Sequence, residues 1–306
     1  MSIVVTGGSG FIGSHVVDQL LEHGHDVTIY DLEAPHYGQR CAFVRGDVRD
    51  VARLTAALRG CEVVYHLAAE ANVNRFYESP LYSHDVTAGG VLCVLEAARA
   101  GKVGRVVLAS TEWVYGTAAE GGERTPITEE TPYAQCPDHL YTSSKIAAEL
   151  FCKNYHRLYG VSYTILRYGI PFGERARPET VTPTFLGRIL RNEEITIHGD
   201  GSQSRQFIYV QDLAAGNVAA FSPKAENEIF NLNGHDRVSV RDIVAALEEI
   251  LGRKAQVRFV ADRAGDFGGR FVSSEKAMRL LGWAPAVPYK EALERYVRWF
   301  RAEERL

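Results

Sequence analysis

The stretch IVVTGGSGFIG, Ile3–Gly13, decides how the rest of the chain is read. A short β-branched run ends in a turn carrying Gly7, Gly10 and Gly13, and an apolar helical pattern, FIGSHVVDQLL, begins inside that turn. Such a turn brings backbone N–H groups close to a pyrophosphate at a helix N-terminus, where the dipole also favours negative charge. Glycine collects in turns of every kind, so the trio needs support from its surroundings. Asp31 supplies it: the residue ends the next apolar run, VTIYD, 18 positions past Gly13. A carboxylate there accepts hydrogen bonds from an adenosine ribose and repels a 2'-phosphate, which favours NAD over NADP; the alternative is a strand-end carboxylate capping the following turn. Asp47, in RGDVRD, fits either a nucleotide contact or an ordinary helix cap.

Outward from this unit, short apolar runs alternate with helical stretches: AFV near Phe43, VVYHL to Leu67, RVVLAS to Ser110 and YTILRY to Tyr168. Strands without polar alternation, joined by helices, predict an α/β fold: a Rossmann-type doubly wound parallel sheet covered on both faces. Beyond Gly169 the rhythm gives way to Pro- and Gly-containing loops, with helical runs at 186–191 and 239–251. The expected division is a dinucleotide-binding domain of residues 1–168 plus 207–251, and a smaller, irregular substrate-binding domain of 169–206 plus 252–306. With 306 residues, 46% of them hydrophobic, the chain fills a substantial core. A net charge of -4 gives no general attraction for nucleic acid or an anionic membrane. There is no apolar run of membrane-spanning length and no export signal, so a cytoplasmic protein is expected. The five cysteines and ten histidines show no metal-ligand spacing, and no metal is expected.

Tyr141 and Lys145, in YTSSK, are four apart and share one helical face. A phenol is a poor base at neutral pH, but a lysine and a nicotinamide cation nearby both stabilise the phenolate and open general acid–base chemistry. Taken alone, the pair also fits a helix surface. Its placement downstream of the Gly-rich turn and of ASTEWVYG, Ala109–Gly116, favours a reactive site.

The motifs TGGSGFIG, HLAA, VYG, YTSSK, LRYG, GDGSQSRQFIYV and RLLGWAP occur in this order. Together they resemble the extended short-chain dehydrogenase/reductases of the NAD-dependent nucleotide-sugar epimerase/dehydratase family, over nearly the whole chain. The resemblance implies that Thr111 hydrogen-bonds the reacting hydroxyl, that Tyr141 is the acid/base and that Lys145 binds the nicotinamide ribose. It implies Phe11 and Ile12 near the pyrophosphate, Asp47 and Val48 at the adenine, Leu67, Ala68 and Ala69 along the middle of the cofactor, and Tyr168 in the nicotinamide pocket. For the substrate it implies Arg205 and Arg263 gripping diphosphate or nucleoside, since the guanidinium fork suits phosphate oxygens. Glu70, Asn72 and Arg75 would face the sugar, and Thr180 and Val181 the nucleotide. A homodimer through helices at 81–99 and 141–159 is also implied.

The chain departs from the family at Ile170, where an Asn commonly donates to substrate phosphate, and at Thr87 and Val91 in DVTAGGV. Sugar 4,6-dehydratases of the family carry Asp-Glu after the catalytic Thr, to lose the C5 proton and expel the 6-hydroxyl. Here those positions hold Glu112 and Trp113. Glu112 is a possible acid, but indole has no basic lone pair to replace the second carboxylate. A 4-epimerase needs no extra carboxylate, so an NAD-dependent nucleotide-sugar 4-epimerase, acting on a UDP-sugar through a transient 4-keto intermediate, is the leading expectation. A 4,6-dehydratase using Glu112 is the alternative, and a catalytically silent NAD-binding sensor a second.

Overall fold

The computed structural model describes residues 1–116, 126–261 and 271–303. The first half builds strand–helix units: β1 (Ser2–Thr6), α1 (Phe11–Glu22), β2 (Asp26–Asp31), β3 (Ala42–Arg45), α2 (Val51–Ala57) and β4 (Val63–His66). Two short helices follow, α3 (Val73–Glu78) and α4 (Pro80–His84), and a π-helical turn, Asp85–Gly89, leads into α5 (Gly90–Gly101). Then come β5 (Arg105–Thr111), a 3-10 turn (Glu112–Tyr115), α6 (Leu140–Tyr159) and β6 (Tyr163–Tyr168). The remainder contains β7 (Ile170–Phe172), α7 (Val181–Leu190), β8 (Ile195–His198), β9 (Ser204–Tyr209), α8 (Val210–Ala219), β10 (Glu228–Leu232), β11 (Arg237–Ser239), α9 (Val240–Leu251), β12 (Val257–Val260), α10 (Glu275–Leu281) and α11 (Tyr289–Glu303).

Seven strands form one sheet in the order β10-β6-β5-β4-β1-β2-β3, and every pair is parallel. This is the doubly wound sheet that the apolar runs predict. All four residues of β4 and all six of β6 are buried, because helices cover both faces and leave no side of these strands to be polar. On one face α1 and α8 bury Val16, Val17, Leu20 and Leu213 against the sheet; on the other, α2, α5 and α6 bury Leu54, Val94, Leu95 and Cys152. Strand order reverses between β2 and β4 on either side of β1, so the crevice beyond their carboxyl ends is the switch point at which such sheets bind ligands.

A third core lies outside this sheet. Strands β11, β9 and β7 form a small sheet, β12 pairs with β8, and Phe172, Leu186, Phe207, Ile243, Leu247, Leu293 and Tyr296 pack together around them. Helix α9, grouped by sequence with the dinucleotide half, contributes to this third core, as does β9, which the 206/207 boundary divides. Ala277 and Trp283, grouped with the substrate half, pack instead into the core beneath α1 and α8. The physical reason is that α9 turns its apolar stripe toward α7 and α11, while the Trp283 indole N–H donates to the Asp212 carbonyl of α8 at 2.9 Å. Among the described residues no helix is long and apolar enough to cross a membrane.

Candidate active site

A cavity of about 610 Å3 runs along the carboxyl ends of β1, β2, β4, β5 and β6. At one end Gly7, Gly10, Phe11, Ile12 and Gly13 line it. Gly7 has φ +73°, and a Cβ there would lie 2.6 Å from the Ala68 nitrogen; a Cβ on Gly13 would lie 2.0 Å from the Gly7 carbonyl oxygen. Only glycine allows this approach of turn, helix and β4 loop. Helix α1 starts at Gly10 with no side-chain cap and no acidic residue in its first turn. Its leading N–H groups and dipole are thus left to an anion from solution, as a pyrophosphate requires.

Asp31 lines the cavity and accepts from the Ser9 backbone at 3.0 Å and from Glu33 at 3.3 Å, which aims the carboxylate while leaving lone pairs for a ribose. Asp47 and Val48 line the same end. Asp47 does not cap α2, a role taken by Asp50 through the Arg53 N–H. Instead the Arg49 guanidinium grips Asp47 at 2.6 Å and holds its carboxyl below the ordinary range, and it also bridges to Asp85 at 3.0 Å. Leu67, Ala68 and Ala69 line the middle of the cavity.

At the other end lie Thr111, Tyr141, Lys145 and Tyr168. Thr111 is the last residue of β5; Tyr141 and Lys145 face the cavity from successive turns of α6. The Lys145 ammonium lies 5.9 Å from the centre of the Tyr141 ring and donates to the Ala109 carbonyl at 2.9 Å. Burial pushes the Tyr141 phenol up to about 12, while hydrogen bonding with Thr111 and the Arg177 cation pull the other way. Burial lowers Lys145 to about 8, with the Glu149 carboxylate opposing the fall. By itself, then, the chain holds the phenol protonated at neutral pH and poised beside positive charge. The Tyr168 ring lines the cavity while its hydroxyl donates to Asn217 at 2.6 Å.

Trp113 lines the cavity and meets Tyr141 edge-on at 6.0 Å; it also lies 5.6 Å from the His139 ring. Phe76 closes on Tyr141 from another side at 5.7 Å. Glu112 is not among the lining residues. Burial pushes its carboxyl up to about 8, against the pull of Arg205, so it carries its proton at neutral pH.

Not every residue expected at the substrate lines the cavity. Glu70, Thr180 and Val181 do, as does Ile170. Asn72 is outside the lining set and caps α3 by accepting from the Asn74 N–H at 3.0 Å. Arg75 ion-pairs with Glu70 at 3.6 Å, and Arg205, also outside the lining set, donates to the Ser204 carbonyl at 3.0 Å. Arg263 lies outside the described residues. Thr87, where the family commonly has Asn, accepts from the Glu70 backbone N–H at 3.1 Å and so ties the β4 loop to the π-helical turn. The sequence reading missed Arg177, a cation on the cavity wall next to the phenol. Its one signal is a guanidinium in the loop that follows β7, within a stretch that has several charges and no period.

The family model for the NAD dependent epimerase/dehydratase family matches residues 3–232, and the chain belongs to that family. It is 31% identical to the UDP-glucuronate 4-epimerase of Thermodesulfobacterium geofontis, over 97% of this chain and 95% of that protein. Its fold is similar to that of the Thermotoga maritima UDP-glucose 4-epimerase, solved with UDP-glucose, with TM-score 0.92 and 32% identity over 99% of this chain and 100% of the other. It is equally similar to the dTDP-glucose 4,6-dehydratase of Streptomyces venezuelae, solved with NAD, with TM-score 0.91 and 32% identity over 99% and 98% of the two chains. The family's cofactor, NAD, fits the glycine cradle, the uncapped α1 terminus and the Asp31 carboxylate. Overall similarity does not separate the two reactions; the residues around Tyr141 must.

Proposed function

We propose that the chain is an NAD-dependent nucleotide-sugar 4-epimerase acting on a UDP-sugar. The observation that carries this reading is the indole of Trp113 set edge-on against Tyr141, where a dehydratase would need its second carboxylate. The neighbouring Glu112 keeps its proton and lies outside the cavity lining, so neither residue that follows Thr111 offers a carboxylate base for the C5 proton.

Bound NAD supplies the hydride acceptor for the C4 hydrogen and a positive charge beside the phenol. Thr111 holds the C4 hydroxyl by hydrogen bonding. Tyr141 would take the hydroxyl proton as C4 is oxidised and would return it to the C4 oxygen once the turned ketosugar is reduced on its opposite face. Lys145, with one hydrogen on the Ala109 carbonyl, has two left for ribose hydroxyls and keeps a cation near the phenolate. Arg177 supplies a cation on the wall of the cavity that binds the anionic nucleotide. A homodimer is part of the proposal, supported by the exposure of Leu81, Leu150, Leu158 and Tyr159 on and beside α6.

NMR of purified protein incubated with UDP- and dTDP-hexoses tests the reaction. Inversion at C4 with the 6-hydroxyl retained is expected; a 4-keto-6-deoxy product would establish dehydration instead.

A further inference from the structure

Behind the reactive residues, away from the cavity, lies a buried ion pair that the epimerase chemistry does not itself require. Glu149 and Arg167 are 0% and 2% exposed, and their side chains meet at 2.7 Å. Both carboxylate oxygens of Glu149 accept hydrogen bonds, and Arg167 Nε is shared between them at 3.0 and 3.2 Å. Oε1 takes the Ser110 hydroxyl at 2.5 Å and Arg167 Nε at 3.0 Å; Oε2 takes the Tyr133 hydroxyl at 2.9 Å and Arg167 Nη2 at 2.7 Å. The remaining arm of Arg167 donates to Tyr115 at 2.8 Å, and Tyr115 donates to Asn231 on β10 at 2.6 Å.

The members of this cluster are neighbours in sequence of the groups that face the substrate. Ser110 precedes Thr111, Arg167 precedes Tyr168, and Glu149 lies one helical turn past Lys145. Side chains alternate across a strand, so Tyr168 turns to Asn217 of α8 while Arg167 turns to Glu149 of α6; Ser110 borders the cavity and sends its hydroxyl to Glu149. A buried pair is seldom a net gain over well-packed apolar residues, so fold stability alone is a weak reason for it. We infer that Glu149, locked by Arg167, is a positioning residue that keeps Lys145 charged and holds the ends of β5, α6 and β6 in one frame. This rests on the proposed roles of Tyr141 and Lys145.

Three described titratable groups bear on the Lys145 ammonium. Tyr141, one turn back on α6, is held protonated. His66 of β4 donates or accepts with Thr6 at 2.7 Å, has no partner at Nε2, and is pushed down to about 3 by burial and by Lys145 itself, so it is neutral. Glu149 is the negative charge opposing the loss of the ammonium proton.

The test is direct titration of Lys145 by 13C NMR in protein carrying labelled lysine, its resonance assigned with K145R, in wild type, E149Q and E149Q/R167M. The double variant removes both charges, so no unpaired guanidinium is left to unfold the core. The midpoint of Lys145 is expected to fall by about one pH unit or more in E149Q, a tenfold loss in proton affinity, and to fall by less in E149Q/R167M, where loss of the guanidinium offsets part of the change. In the NAD-loaded enzyme the alkaline limb of turnover should fall with it. An unchanged midpoint in E149Q/R167M would overturn the inference, whatever happened to activity. Turnover surviving in Y141F would instead overturn the catalytic reading, and the titration would still decide the role of Glu149.

Discussion

Replacing Lys145 with methionine should make the protein more stable and inactive. Lys145 is 6% exposed, and burial brings its ammonium from the ordinary 10.5 down to about 8. At about 1.4 kcal/mol per pH unit, carrying that charge costs the native state about 3 kcal/mol at neutral pH. Methionine fills the same channel without a charge, but strands the Ala109 carbonyl that now accepts at 2.9 Å, which takes back about 1 kcal/mol. The expected net gain for Lys145→Met is about 2 kcal/mol at pH 7. Its pH dependence distinguishes this cause from better packing. Between about pH 8 and 10.5 the unfolded chain binds a proton at this lysine that the native state has released, so wild-type stability rises with pH in this window. Below pH 8 the penalty is full and constant. Urea denaturation of both proteins without cofactor, from pH 6.5 to 10, should show an advantage for the variant that shrinks above pH 8. A variant less stable than wild type at pH 7, or an advantage independent of pH, would refute the argument.

Tyr141→Phe should lower turnover by about 10²–10⁴-fold, the usual worth of a positioned acid–base group, with NAD affinity retained in a fluorescence titration. Asp31→Asn should narrow the preference for NAD over NADP by about tenfold, because the carboxylate that repels a 2'-phosphate is gone while the Ser9 and Glu33 contacts persist; parallel titrations with the two cofactors check this. Gly13→Ala should abolish NAD binding, since the methyl would lie 2.0 Å from the Gly7 carbonyl and force the turn open. Sedimentation should find a dimer in wild type and a monomer in Leu81→Glu, a residue 87% exposed beside α6.

What could be read from sequence follows from how locally each feature is encoded. Strands β1, β2, β4, β5 and β6 were visible because a strand covered on both faces is an apolar run bounded by turns; β3, at the sheet edge with no buried residue, showed only as the short run AFV. The glycine cradle and the Tyr141–Lys145 pair were visible because each works through near neighbours in the chain. Helix α9 was visible as a helix but not in its destination: its stripe of Ile243, Val244 and Leu247 says that one face is buried, not against which core. Arg177 was missed because a lone guanidinium in an aperiodic loop looks like solvated surface. The Glu149–Arg167 pair was hidden differently. Arg167 interrupts the apolar run of β6 and Glu149 sits in a helix with many charges, and nothing in a spacing of 18 residues announces that they meet.

The fold also accounts for how a weak base and a reluctant cation are kept together. Burial works against Lys145 and against the Tyr141 phenolate alike, raising one acidity constant and lowering the other until both groups would be neutral in an apolar pocket. Opposing this requires negative charge near the lysine that does not reach the phenol. Glu149 meets this requirement from one helical turn past Lys145 on α6, outside the cavity lining, with its carboxylate oxygens filled by Ser110, Tyr133 and Arg167. On the cavity side the phenol meets aromatic faces, Trp113 and Phe76, and a cation, Arg177. In the proposed reaction this separation, with negative charge beyond Lys145 along α6 and positive charge on the cavity wall, would let the same tyrosine hold its proton in the free protein and release it when a further cation arrives.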